Sequence, residues 1–230
     1  MGRVTILWRS SIGKKAAMAV SGILLFGFVI AHMLGNLKAF QTWSGEGLHP
    51  LDEYGAALRQ LGYPFLPEYG ALWIFRIGLL AALALHAIPA WQLWRQSRSA
   101  RDRGYRKEDS QVFSYASRTM RWGGVIILLF VVYHLLHMTT GHAHPDFEYG
   151  AVYDNLVAGF QSFAVTGVYL VAVGALSLHL YHGVWSLFGT LGTDNPRVDR
   201  IRRPLALISA VGLFVGYAVV PVAILLGILS

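Results

Sequence analysis

Histidine is the residue in this chain whose placement could do chemistry. Six of the nine histidines, His32, His86, His134, His137, His179 and His182, stand in long apolar stretches. Those stretches contain no Asp or Glu, and Arg76 is their one strongly basic residue. Ionisable groups are costly in hydrocarbon and usually mark function. A proton or ion path would recruit carboxylates. Neutral imidazoles without carboxylates fit metal ligation better. The chain has no Cys, which excludes disulfides and any zinc, iron–sulfur or thiolate–haem site ligated by Cys of this chain.

The elements that must position these rings are membrane helices. The 230 residues are 55% hydrophobic and 13% charged, with a mean hydropathy of +0.48. A soluble domain carries about 25% charged residues, so most of this chain does not face water. A spanning helix needs about 20 mainly apolar residues. Five segments qualify: 16–37, 71–93, 122–140, 163–188 and 204–229. The first is too long, and wrongly flanked, for a cleaved signal peptide. The expected fold is an all-α integral membrane bundle of five helices, one domain over 1–230.

Charge sets the direction. Sixteen of the 19 basic residues fall before span one, between spans two and three, or between spans four and five. These include Arg3, Arg9, Lys15, Arg101, Arg103, Arg106, Lys107 and Arg121. The positive-inside rule then places the N-terminus in the cytoplasm and the C-terminus outside. The net charge of +7 is thus a topology signal and a docking face for an acidic partner, not a nucleic-acid site. In the first outer loop, residues 51–61 read as a short amphipathic helix lying on the membrane surface. The second outer loop, about 141–162, has Asp146, Glu148 and Asp154 and no Lys or Arg. His49, His142 and His144 read as solvated loop residues.

Helical rise turns sequence distance into depth. His32 lies 17 residues past Lys15, about 25 Å along a helix. His134 lies 13 past Arg121, also in the outer half. His86 lies nine before Arg95 and His179 eighteen before Arg197, both in the inner half. Bundles build cofactor sites from facing helices, and two bis-His haems at two depths are the simplest use of these four rings. An echo, Ser21-Gly22-x9-His32 against Gly123-Gly124-x9-His134, supports the outer pair. Ala90 and Gly183 follow His86 and His179 by four residues, on the same helical face. Other uses stay open. A membrane His can simply hydrogen-bond a neighbouring helix. His137 and His182, each three residues past another His, are rival ligands or parts of a zinc or non-haem site. Arg76 reads as a snorkelling residue or a contact to a propionate or quinone.

The segments Ser11-Ile-Gly-Lys-Lys-Ala-Ala-Met-Ala-Val-Ser-Gly22 and His32-Met-Leu-Gly-Asn-Leu-Lys-Ala-Phe40 resemble the membrane anchor of succinate dehydrogenase and fumarate reductase. Leu85-His86, Tyr133-His134 and His179-Leu-Tyr-His-Gly-Val-Trp185 extend the resemblance over nearly the whole chain. The branch it resembles is the single-subunit, five-helix, di-haem cytochrome b type. The resemblance implies two b haems, held by His32 and His134 (outer) and by His86 and His179 (inner). It implies a flavoprotein subunit and an iron–sulfur subunit docked on the cytoplasmic face, menaquinone as electron partner, and a bacterial plasma-membrane location in the respiratory chain and tricarboxylic acid cycle. The chain itself would not act on succinate. Lys15, Ser21, Arg76, Arg121 and Glu68 are the candidates for propionate or quinone contacts. Some members carry a Glu two residues before the span-four ligand, tied to proton movement, where this chain has Ser177. The alternatives are a b-type anchor of a hydrogenase or formate dehydrogenase, a haem-free anchor, or a transporter. A higher oligomer is compatible with all of them.

Overall fold

The computed structural model describes residues 10–43, 45–99, 111–190, 192 and 195–230. Every regular element among them is helical: α1 (Ser11–Asn36), α2 (Pro50–Arg59), α3 (Gly70–Ser99), α4 (Gln111–Met138), α5 (Val152–Phe160), α6 (Phe163–Thr190) and α7 (Pro196–Leu225), with a 3₁₀ turn at Leu37–Phe40. Helices α1, α3, α4, α6 and α7 are each long and apolar enough to cross a membrane. Their flanks carry Leu24, Ile74, Phe75, Leu129, Val171 and Ile208, all largely exposed. In water so much open aliphatic surface would drive association. In a bilayer it is the lipid-facing side of a multi-pass protein.

The helices run further than the apolar segments at the end that carries the basic residues. Helix α1 begins at Ser11, where Ser10 Oγ accepts the Gly13 N–H at 2.9 Å. Helix α7 begins at Pro196, where Asn195 Oδ1 accepts the N–H groups of Arg197 and Val198, both at 3.0 Å. Arg and Lys are good helix formers, so the helix continues past the hydrocarbon. At the other end α7 stops at Leu225, four residues before the apolar run does. Gly227 (φ +72°) donates to Ile224 and Ile228 to Ala223, the paired bonds that close a helix through a left-handed glycine. Arg3, Arg9, Arg101, Arg103, Arg106 and Lys107 lie outside the described residues.

Contacts fix the arrangement. Helix α1 packs along α3, α4 along α6, and α6 along α7, while α7 also touches α1. The α6–α7 seam buries Ala172, Val173, Ala206 and Ala210. Small side chains let membrane helices approach closely, where dispersion rather than the hydrophobic effect holds them. Between the two hairpin-like pairs, α1·α3 and α4·α6, helix α1 touches α6. Helices α1 and α4 scarcely touch, and neither do α3 and α6.

The densest core caps the loop end. Ala39, Leu51, Tyr153, Leu156, Phe160, Tyr169, Val220 and Ile224 form one buried cluster. One expectation is corrected here, and one further helix is found. The short helix in the first loop spans Pro50–Arg59 and buries Leu51 in protein, not lipid. The second loop contains helix α5, whose Tyr153, Asn155, Leu156, Gly159 and Phe160 are buried. Asp52 Oδ1 accepts the Tyr153 N–H at 2.9 Å and ties the two loops together. At nine residues α5 is too short to form alone, so its stability comes from that packing.

His49 is likewise buried rather than solvated. Its Nδ1 accepts the Leu51 N–H at 3.1 Å, capping α2, and its ring stacks on Tyr153 at 3.8 Å. Burial holds its pKa below the ordinary value, against the opposing pull of Asp52 and Asp154. Only a neutral ring can accept at Nδ1. The contribution is therefore complete above the unfolded pKa of about 6.5 and declines as pH falls below it toward the lowered folded value. The amide protection factors of residues 51–53 and 152–156, exchange rates corrected for their intrinsic pH dependence, are expected to fall from pH 7.5 to 5.5. In His49→Gln that pH dependence should vanish.

Candidate functional site

The slot where α1 stands off from α4 and α3 from α6 is bridged by histidine rings at two levels. Toward the loop end, His32 of α1 faces His134 of α4, with ring centroids 5.8 Å apart and planes at 73°. Toward the basic end, His86 of α3 faces His179 of α6 at 6.1 Å and 64°. Each pair joins helices that barely touch otherwise.

The glycine echo belongs to a different level than the sequence reading assigned. Gly22 does not serve His32; a Cβ there would lie 3.2 Å from His86 Cε1. Gly124 likewise sits beside His179, with its Cβ position 3.9 Å from Cε1. Each of α1 and α4 therefore offers a glycine to the basic-end pair and, ten residues on, a histidine to the other. Ten residues of helix separate the two levels by about 15 Å.

Hydrogen bonds orient the rings. His86 Nδ1 lies 3.1 Å from the Met18 carbonyl. A carbonyl only accepts, so His86 carries its proton on Nδ1 and presents the Nε2 lone pair. His134 Nδ1 lies 3.2 Å from the Tyr169 hydroxyl, again leaving Nε2 free. His179 Nδ1 is buried and makes no hydrogen bond of ordinary geometry, although the Met120 carbonyl lies beside the ring. Phe28 stacks on His32 at 5.5 Å. Tyr217 of α7 braces the same region, its hydroxyl donating to the Val29 carbonyl at 2.7 Å.

The rival histidines go elsewhere. His137 is fully buried, stacks on Tyr133 at 5.4 Å and lies 4.8 Å from His144. His144 is buried too, correcting its reading as solvated. Its Nε2 donates to the Asn155 carbonyl at 2.9 Å and its Nδ1 accepts the Asp146 N–H. His182 packs against Tyr181, and His142 is exposed, as expected of a loop residue. Among the described residues no three of His, Cys, Asp and Glu come close enough to hold a metal ion. A protein-only zinc site takes three or four such ligands, so the donor set is one of pairs.

Gly159 makes this packing possible. Its Cβ would sit 2.9 Å from His137 Cε1 and 3.1 Å from His144 Nε2. Both rings are pinned, so Gly159→Ala is expected to destabilise by about 1–3 kcal/mol. The measurement is a thermal midpoint in detergent, with Gly167→Ala, which meets nothing within 4 Å, as a silent control.

The remaining candidates disperse. Ser21 is buried next to Gly22 and donates to the Ala17 carbonyl at 2.6 Å. Lys15 is exposed, whereas Lys14 is 5% exposed and lies on the same face as Met18 and Ser21. The sequence reading missed Lys14; its four- and seven-residue spacing to Met18 and Ser21 was the available signal. Arg121 is exposed at the basic end. Arg76 lies over the Trp73 ring at 5.1 Å near the loop end, and Glu68 is exposed there.

No family model, curated protein or solved structure matches this chain.

Proposed function

We propose that this chain is the membrane-anchor cytochrome b subunit of a succinate:quinone oxidoreductase. It would hold two bis-His b haems, by His32 with His134 and by His86 with His179, and connect an iron–sulfur subunit to menaquinone. The observation that carries this reading is the pairing of rings across the slot. A haem would bring four nitrogens of its own and would need only two imidazoles from the protein, with no third ligand. The two facing pairs, at 5.8 and 6.1 Å between ring centroids, fit that requirement. Glycine at 22 and 124, and the open space a Cβ at Gly183 would enter, fit a flat group beside these rings.

When bound, haem would supply reversible one-electron chemistry at an iron with no open position. The chain's own residues do the rest. The Met18 carbonyl holds His86 in the ligand-competent tautomer, as partners of ligating histidines generally do. The scarce contact of α1 with α4 and of α3 with α6 would leave room for the group, and the aliphatic flanks would exclude water. Lys14, Ser21, Lys15 and Arg121 are the candidates for propionate or quinone contacts at the basic end, and Arg76 and Glu68 at the loop end. The basic end would face the cytoplasm and receive the acidic face of the iron–sulfur subunit, with the flavoprotein beyond it. The residues quoted from the first span favour this anchor over that of a hydrogenase or formate dehydrogenase.

The test is a pyridine haemochrome assay on the purified complex, with haem counted per chain and co-purifying subunits identified. The expected result is two b haems and a flavoprotein. A haem-free preparation would return the chain to a structural anchor or transporter.

A further inference from the structure

We propose that Tyr169 is a positioning residue: its one hydroxyl, shared between His134 and His137, selects which α4 histidine faces His32 and fixes that ring's tautomer. The inference rests on the reading above that His134 is a ligand. Tyr169 Oη lies 3.2 Å from His134 Nδ1 and 3.0 Å from His137 Nδ1. A hydroxyl has one proton to donate and lone pairs to accept with. It can therefore satisfy both rings only if it donates to one and accepts from the other. Ligation through His134 Nε2 requires the proton on Nδ1. His134 then donates to the tyrosine oxygen, and the tyrosine donates to His137 Nδ1. His137 thus serves as the acceptor that turns the hydroxyl proton away from His134.

The phenol is held rigidly for this task. Phe130 and Phe160 meet its ring edge-to-face at 4.9 and 4.8 Å, and the residue is 7% exposed. His137 Nδ1 is held by that bond, and its Nε2 is buried without a partner. Its ring stacks on Tyr133 at 5.4 Å. Among the described residues, neither histidine has another hydrogen-bonding partner at Nδ1. The single hydroxyl therefore distinguishes a ring that faces the slot from one that supports it.

The experiment uses the intact complex and Tyr169→Phe, which keeps the aromatic packing and removes one oxygen. Losing the outer partner of a ligating histidine weakens metal binding by about 10–100-fold. The haem between His32 and His134 is expected to transfer to apomyoglobin that much more readily. Its low-spin paramagnetic resonance signal should shift, and its potential should move to more positive values as His134 becomes less basic. The other haem should not change in any of the three. His137→Phe, which preserves the stack on Tyr133, should shift the same haem in the same sense. Unchanged retention, signal and potential in Tyr169→Phe would overturn the inference, as would loss of that haem in His137→Phe but not in His134→Ala. A parent complex without haem would overturn the functional reading itself, which separates the two failures.

Discussion

Replacing His86 or His179 with alanine is expected to lower the haem content of the purified complex from two per chain to one. The haem that remains should keep the spectrum and potential of the one held by His32 and His134. His32→Ala and His134→Ala should give the complementary result. The two levels share no side chain, and about 15 Å of helix separates them, so the losses should be independent. The neighbouring histidines supply the control. His182 packs on Tyr181 and forms no facing pair, so His182→Ala should retain two haems. A complex that loses its basic-end haem in His182→Ala and keeps it in His179→Ala would show the wrong ring had been assigned.

A glycine variant should remove one haem without touching a ligand. In Gly22→Leu even the first added carbon would come within 3.2 Å of His86 Cε1 and 3.4 Å of Nδ1. The remaining three carbons must displace the imidazole or part α1 from α3. Either movement breaks the bond from His86 Nδ1 to the Met18 carbonyl. The expected outcome is loss of the basic-end haem, with the loop-end haem unchanged. Gly27 is on the same helix, is exposed, and would meet nothing within 4 Å. Gly27→Leu should therefore bind both haems. Equal loss in the two variants would mean that bulk on α1 acts through insertion or folding of the helix, and the close approach of Gly22 to His86 would carry no special weight.

Both results depend on features that differ in how far they could be read in advance. Lipid as a solvent demands about 20 apolar residues per crossing, so the five spans were written in local composition. A fixed rise per residue made sequence distance a ruler of depth, and the rings placed at one depth are the rings that stand together. The basic residues marked one end of the bundle for the same reason, since charge is excluded from hydrocarbon. The cap was not legible. Helix α5 is short, and its tendency to fold comes from burying Tyr153, Leu156 and Phe160 against distant residues. His49 and His144 looked solvated because nothing local reveals that Tyr153 will cover one and Asn155 accept from the other. Lys14 and Lys15 are adjacent, and only the rotation of α1 about its axis buries the first and exposes the second. In lipid that rotation has no strong amphipathic signal to announce it, because both faces are apolar.

The tertiary structure also decided what the repeated glycines are for. On each helix the sequence showed a glycine ten residues before a histidine, and the natural inference joined the two. Ten residues is nearly three turns, too far for two side chains on one helix to meet. The glycine instead serves a ring from the facing helix, because close approach is a property of two surfaces. By itself, then, the sequence determined the number of spans, the basic end and the depth of each histidine, which follow from one chain measured against a slab of hydrocarbon. Only the fold decided the slot, the partner each ring meets and the hydroxyl that Tyr169 shares, because these depend on how separate helices pack around one another.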